Sequence, residues 1–168
     1  PLRLVGSEMC IRDSFKGYIS DLGGPSANMY GMHGKNLAIC AKCRKPSCLH
    51  PVVCPNLDTD HSRLLDIYHK VDALPGVKKS FIGSGVRYDL SMHPTGDKRI
   101  DAVNRRYNEE LITSHVSGRL KVAPEHTEDT VLNVMRKPTF TLFEQFKEIF
   151  DRVNARHGLR QQLIPYFI

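Results

Sequence analysis

Runs that read as strands alternate with runs that read as helices from residue 15 onward, and this alternation constrains the fold more than any other feature. Residues 15–22 read as a short strand, stopped by Gly23-Gly24-Pro25. Leu64, Leu65, Tyr68 and Val71 then recur at three- and four-residue spacing, which predicts a helix over 62–74, ended by Pro75-Gly76. Residues 77–82 form a second strand leading into Gly83-Ser84-Gly85. A polar helix over 97–115 places Ile100, Val103, Tyr107, Leu111 and Ile112 on one face, and its arginines read as a solvated face. Residues 120–123 make a third strand, closed by Pro124-Glu125-His126. A short helix runs through Met135, and Thr139 caps another with Phe143, Phe146 and Phe150 facing inward and Gly158 closing it. The last strand is 161–167. The order predicts an α/β fold with a parallel sheet and crossover helices. In such folds ligands gather at the carboxyl ends of the strands.

Residues 31–61 break this rhythm. Cys40, Cys43, Cys48 and Cys54 fall within fifteen residues there, in a loop with little periodicity. Thiolates are soft ligands, and short spacers let one loop wrap an ion, so the cluster points to a metal rather than to a disulfide. Four thiolates suit an iron–sulfur cluster or a structural tetrahedral zinc, with His50 or His61 able to replace a thiolate. The spacing also approximates a zinc knuckle, and Lys42, Arg44 and Lys45 between the thiols suit phosphates. A zinc-dependent nucleic-acid-binding module is therefore the alternative function. His33, His69, His93, His115 and His157 read as ordinary surface or helix histidines.

With 168 residues and 40% hydrophobic content, the chain can bury a real core in one domain. Its formal charge of +6 permits an anionic partner without naming one. No apolar run is long enough to span a membrane, and no secretory pattern opens the chain, so the expected compartment is the cytoplasm. Residues 1–14 match the conceptual translation of a common transposase sequencing adaptor, so they are expected to be non-native, with Cys10 an accident. Residues 162–168 read as a buried strand cut off before its turn, which predicts an interior fragment of a longer protein.

Three stretches at the strand ends carry a resemblance: Ile19 to Tyr30, Gly83 to Asp89, and Leu120 to Glu128. Together with the cysteine loop and Leu163-Ile164-Pro165-Tyr166-Phe167-Ile168, they resemble the YgiQ-like family of radical S-adenosylmethionine proteins over residues 15–168. The resemblance implies a partial (β/α)6, TIM-like barrel that reductively cleaves S-adenosylmethionine at a [4Fe-4S] cluster, giving a 5′-deoxyadenosyl radical. It also implies an electron donor and an unknown substrate. Gly23 and Gly24 match a turn that approaches the methionine amino group, with Pro25 where an acidic residue often follows. Ser84 and Arg87 match positions that hold the methionine carboxylate or ribose hydroxyls, and Glu125 matches a ribose- or amino-binding polar residue. The superfamily's Cys-x-x-x-Cys-x-x-Cys motif does not occur in this sequence, so its catalytic cluster ligands are expected upstream. The present cysteine loop is a separate site, auxiliary iron–sulfur or zinc.

Overall fold

The computed structural model describes residues 15–23 and 26–168. The adaptor-like leader lies outside them, as do Gly24 and Pro25. Strand β1 (Tyr18–Ile19) is followed by a 3-10 turn (Ala27–Met29) and α1 (Leu37–Lys42). Next come α2 (Ser62–Asp72), β2 (Lys79–Ser80), α3 (Tyr88–Met92) and α4 (Lys98–Glu110), which widens into a π turn (Leu111–His115). β3 (Arg119–Glu125), α5 (Asp129–Val134), α6 (Phe140–His157) and β4 (Gln162–Phe167) complete the order. The fold is mixed α/β with parallel pairing, as the alternation predicts.

β1 lies parallel to β2, with Tyr18 opposite Lys79 and Ile19 opposite Ser80. β3 lies parallel to β4, from Arg119 opposite Gln162 to Val122 opposite Pro165, with a register shift before Glu125 meets Phe167. Among the described residues these are two separate two-stranded sheets rather than one continuous sheet, and no barrel closes. The division falls where β2 ends. The Ile82 amide donates to His115 O of the π turn at 2.8 Å. The first strand is also shorter than expected, because Gly17 turns the chain at φ 89°. A Cβ at Gly17 would stand 2.6 Å from Gly76 O, so only glycine fits where the two strands begin side by side.

The helix boundaries follow local chemistry. Asp97 caps α4 by accepting from the amides of Arg99 at 2.8 Å and Ile100 at 3.4 Å, a contact type worth about 1 kcal/mol. Gly158 ends α6 in the left-handed region, at φ 62°. Thr139 stands at the N-cap of α6, but its hydroxyl makes no cap bond, which corrects the capping read from sequence. Two short helices, α1 and α3, lie in stretches read as loop. For α1 the signal is Asn36, whose Oδ1 accepts from Ala38 at 3.0 Å and Ile39 at 3.3 Å.

One core joins the sheets to the helices. Its centre is aromatic: Tyr68, Tyr107, Phe146 and Phe150 are all fully buried. Along β3, Leu120 and Val122 point inward while Arg119, Lys121 and Ala123 are exposed, the period of two that a half-buried strand requires. Burial pushes the Tyr68 hydroxyl up to about 12 and the Tyr107 hydroxyl well above its ordinary value. Both phenols stay neutral.

Candidate functional site: a cavity at the strand ends and a cysteine loop

A cavity of about 260 Å³ opens where the segments beyond the strands converge. Ser26 reaches it from beyond β1, Gly85 to Asp89 from beyond β2, Lys121 to Ala123 from β3, Lys137 and Pro138 from beyond α5, and Tyr166 from β4. All three connections between the strands, with residues of β3 and β4 themselves, therefore contribute to one hollow, in keeping with the rule for parallel α/β folds.

Arg87 lies in this cavity, and its guanidinium forks onto Asp89, with Nε 3.1 Å from Oδ1 and Nη2 2.5 Å from Oδ2. Two of its five N–H donors are used in this way, so the guanidinium keeps donors for a ligand carboxylate. Beside it, burial raises the Tyr88 hydroxyl far above its ordinary value, and the Tyr88 ring stacks on Phe146 at 5.4 Å. Glu125 ends β3 at φ 69° and binds Lys137 Nζ at 2.6 Å. Glu125 thus meets the cavity through Lys137, which lines it.

Ser84 is turned elsewhere. Its hydroxyl donates to Asp21 Oδ2 at 2.5 Å, while the amides of Gly83 and Ser84 donate to Asp21 Oδ1 at 3.0 and 3.3 Å. Burial works against the Asp21 carboxylate, but the bonds from Ser84, Gly83 and Gly23 outweigh it and hold the group below its ordinary range. A Cβ at Gly23 would meet Asp21 Oδ1 at 3.0 Å and Ala27 Cβ at 2.9 Å. Gly23 lines a second hollow, of about 440 Å³, with Ser26, Tyr30 and Leu64. Ser26 borders both hollows. The expected residues therefore form two groups, Gly23 with Ser84 on Asp21 and Arg87 with the Glu125–Lys137 pair, with Gly24 and Pro25 outside the described residues.

Sequence reasoning missed the residues that hold Arg87 in place. Asn28, buried to 1% exposure, accepts from the Arg87 amide at 2.7 Å and donates to the Arg87 carbonyl at 2.8 Å. Its Nδ2 also donates to His61 Nε2 at 3.2 Å, and His61 Nδ1 donates to Asn104 Oδ1 at 2.7 Å. Both ring nitrogens of His61 are engaged, so the sequence reading of His61 as a substitute thiolate is corrected: it is a buried structural hydrogen-bonding residue. Burial lowers its pKa, against smaller upward effects from Asn104 and Asp60. Asn28 lies inside one of the resembling stretches, yet nothing in spacing distinguishes an asparagine that grips backbone from one in a surface turn.

The cysteine loop is drawn together at its neck. Gly34 bridges Leu57 in antiparallel fashion, the Lys35 amide donates to Asn56 O at 2.7 Å, and the Asp58 amide donates to His33 O at 2.8 Å. Within the loop the Cys43 amide donates to Cys40 O at 3.0 Å and the Cys54 amide to Cys48 O at 2.7 Å. Cys40 Sγ accepts from Asn56 Nδ2 at 3.1 Å. All four thiols are free, with Cys40, Cys43 and Cys48 exposed and Cys54 half-buried. Among the described residues, no three His, Cys, Asp or Glu side chains are gathered into a metal-sized group. The neck fixes the ends of the segment that carries the four cysteines.

No helix among the described residues is long and apolar enough to cross a membrane. No family model matches the chain, and no solved structure matches it. Curated proteins do. The chain is 68% identical over 154 residues to a UPF0313 protein of Bacteroides thetaiotaomicron, covering 92% of this chain and 25% of that protein. It is 60% identical over 161 residues to a UPF0313 protein of Porphyromonas gingivalis, covering 96% and 25%, and 50% identical over 161 residues to one of Pseudomonas syringae pv. tomato, covering 94% and 20%. The chain spans about a quarter of the length of the first of these relatives. Over nearly all of its own length, the chain is thus similar to the UPF0313 proteins.

Proposed function

We propose that the chain is part of a YgiQ-like radical S-adenosylmethionine enzyme, with the strand-end hollow as its S-adenosylmethionine pocket in a partial TIM-like barrel. The observation that carries this is the convergence of the three strand connections, with β3 and β4, on a cavity holding Arg87, Asp89, Lys137 and Tyr166. The residues fit such a ligand: Arg87 keeps guanidinium donors for a carboxylate, and Asp89 offers a carboxylate to an ammonium or to ribose hydroxyls. When bound, S-adenosylmethionine and a reduced iron–sulfur cluster would supply radical hydrogen-atom abstraction. The chain's own part is to bind, orient and exclude water. Cys40, Cys43, Cys48 and Cys54 would hold a separate metal, iron–sulfur or zinc.

Anaerobic reconstitution of the full-length Bacteroides thetaiotaomicron relative with iron and sulfide, then reduction, should release 5′-deoxyadenosine from S-adenosylmethionine. Absence of cleavage by protein carrying a reduced cluster overturns the reading. The basic cysteine loop favours a second reading, a zinc-dependent nucleic-acid-binding module, through exposed Lys42, Arg44 and Lys45 between exposed thiols. One zinc per chain without iron, together with salt-sensitive RNA binding, would support that reading.

A further inference from the structure

A cleft of about 210 Å³ lies between α4 and α6 and shares no lining residue with the strand-end cavity. Arg105 lines it from α4, and Arg152 and Arg156 line it from α6. Ile149 and Val153 add an apolar surface, and Glu109 is the carboxylate of the lining. All three arginines are exposed, so a solute can reach them. Sequence spacing places Arg105 on a solvated helix face, but only the packing of α4 against α6 brings it to the same cleft as two arginines distant in the chain.

The charges of this cleft do not balance. Glu109 Oε1 accepts from Arg156 Nη1 at 3.2 Å and lies 3.3 Å from His157 Nε2. Arg105 and Arg152 make no salt bridge among the described residues. Arg152 has a carboxylate within reach along its own helix, since Glu148 stands one turn earlier in the favoured order for an ion pair, yet the pair does not form. Lys147 and Asp151 on the same helix do form theirs. Asp101, one turn before Arg105, spends Oδ1 on the Thr95 amide at 2.8 Å and the Thr95 hydroxyl at 2.7 Å. Arg152 and Arg156 also stand one turn apart, a spacing at which like charges repel. Cations of one sign beside an apolar wall focus their field into a cleft and concentrate anions there.

We infer that this cleft binds the phosphoryl group of a small phosphorylated molecule. Guanidinium forks match phosphate oxygens in pairs, and arginine suits this role better than lysine. A phosphate monoester carries close to two negative charges at neutral pH, its second pKa lying near ~6. That charge answers Arg105 and Arg152, the two lining cations without a counter-ion, whereas a carboxylate would answer one of them. Arg106 and Lys147, neighbouring cations on the two helices, are already paired with Glu110 and Asp151. The free charge is thus gathered in the cleft rather than spread along a track for a polynucleotide. The volume suits a molecule smaller than drug-sized ligands, whose pockets run to about 300–1,000 Å³.

The test is calorimetric titration of the full-length protein with inorganic phosphate, phenyl phosphate, acetate and a single-stranded RNA oligonucleotide. Chloride is held at about 0.1 M, where charges more than about 10 Å apart are largely screened. Phosphate and phenyl phosphate should bind saturably, and acetate at least about tenfold more weakly. Arg105→Met and Arg152→Met alter exposed side chains and should keep the melting temperature. Each should bind phosphate about tenfold more weakly, the loss of one charge-assisted contact. Lys98→Met removes an exposed cation two turns from Arg105 on α4, outside the cleft, and should leave phosphate affinity unchanged. No saturable phosphate binding up to about 10 mM, or equal losses from Lys98→Met and Arg152→Met, would overturn the assignment. So would RNA binding that is tighter than phenyl phosphate binding and is lost with Arg152→Met. The experiment contains no S-adenosylmethionine, so its outcome is independent of the proposed function.

Discussion

Asn28 engages both hydrogen-bonding positions of the Arg87 backbone at once, accepting from its amide at 2.7 Å and donating to its carbonyl at 2.8 Å. A buried side chain thereby substitutes for a strand partner just where β2 has ended, and it sets the position from which the Arg87 guanidinium projects. Asn28→Ala leaves two backbone groups and His61 Nε2 without partners. The expected loss is about 1–3 kcal/mol of stability, read from the denaturant midpoint. Asn28→Asp keeps the acceptor but loses the donor, so it should fall between wild type and alanine. Equal stability of all three proteins would show that the clamp carries no weight.

His61 gives a pH dependence with a definite sign. Burial holds its folded pKa below the ordinary 6.5, so the unfolded chain takes up the proton first as pH falls. Its stabilising contribution is fully present above pH 6.5 and is lost as pH falls toward the folded pKa. Protonation would also put a hydrogen on Nε2 facing the Asn28 donor. Melting temperatures between pH 7.5 and 5.5 (about one unit either side of the ordinary histidine value) should fall for wild type. His61→Gln should flatten that slope while lowering stability throughout.

Asp21 acts in a lower window. Its folded pKa is below the ordinary 3.8, so the stability from its bonds to Gly83 and Ser84 is present above that value and fades as pH falls further. Asp21→Asn should reduce this acid sensitivity and cost about 1 kcal/mol at neutral pH, since an amide accepts at one oxygen only.

Gly34 is fixed by a neighbour rather than by its own backbone angle. A Cβ there would stand 2.2 Å from Cys40 Sγ, far inside contact distance. Gly34→Ala should displace Cys40 from Asn56 and loosen the neck of the loop, at a cost of about 1–3 kcal/mol. Metal retained per chain after dialysis against a mild chelator should fall relative to wild type. Unchanged retention would mean that Cys40 is not a ligand.

Much of the fold was legible because its signals are local. Leu64, Leu65 and Tyr68 show helical spacing and are buried in α2, and β3 buries Leu120 and Val122 on alternate positions. Gly158 closes α6 as its position suggests. Whether β2 joins β3 depends on one amide of Ile82 choosing His115 as its acceptor, a contact between residues 33 positions apart that no local pattern encodes. The site divides in the same way. Arg87 could be picked from its motif, whereas its anchoring by Asn28, His61 and Asn104 depends on three distant segments meeting. Thr139 shows the reverse error, a residue type suited to a cap whose hydroxyl is not used as one.

The two ion pairs bordering the strand-end cavity, Arg87 with Asp89 and Lys137 with Glu125, have a consequence for what can enter. Each of these two cations arrives already neutralised, which leaves Lys121, also a lining residue and without a salt bridge among the described residues, as the unbalanced charge of the wall. A solute with one exposed carboxylate would feel that single charge, and its affinity should weaken only modestly as ionic strength rises.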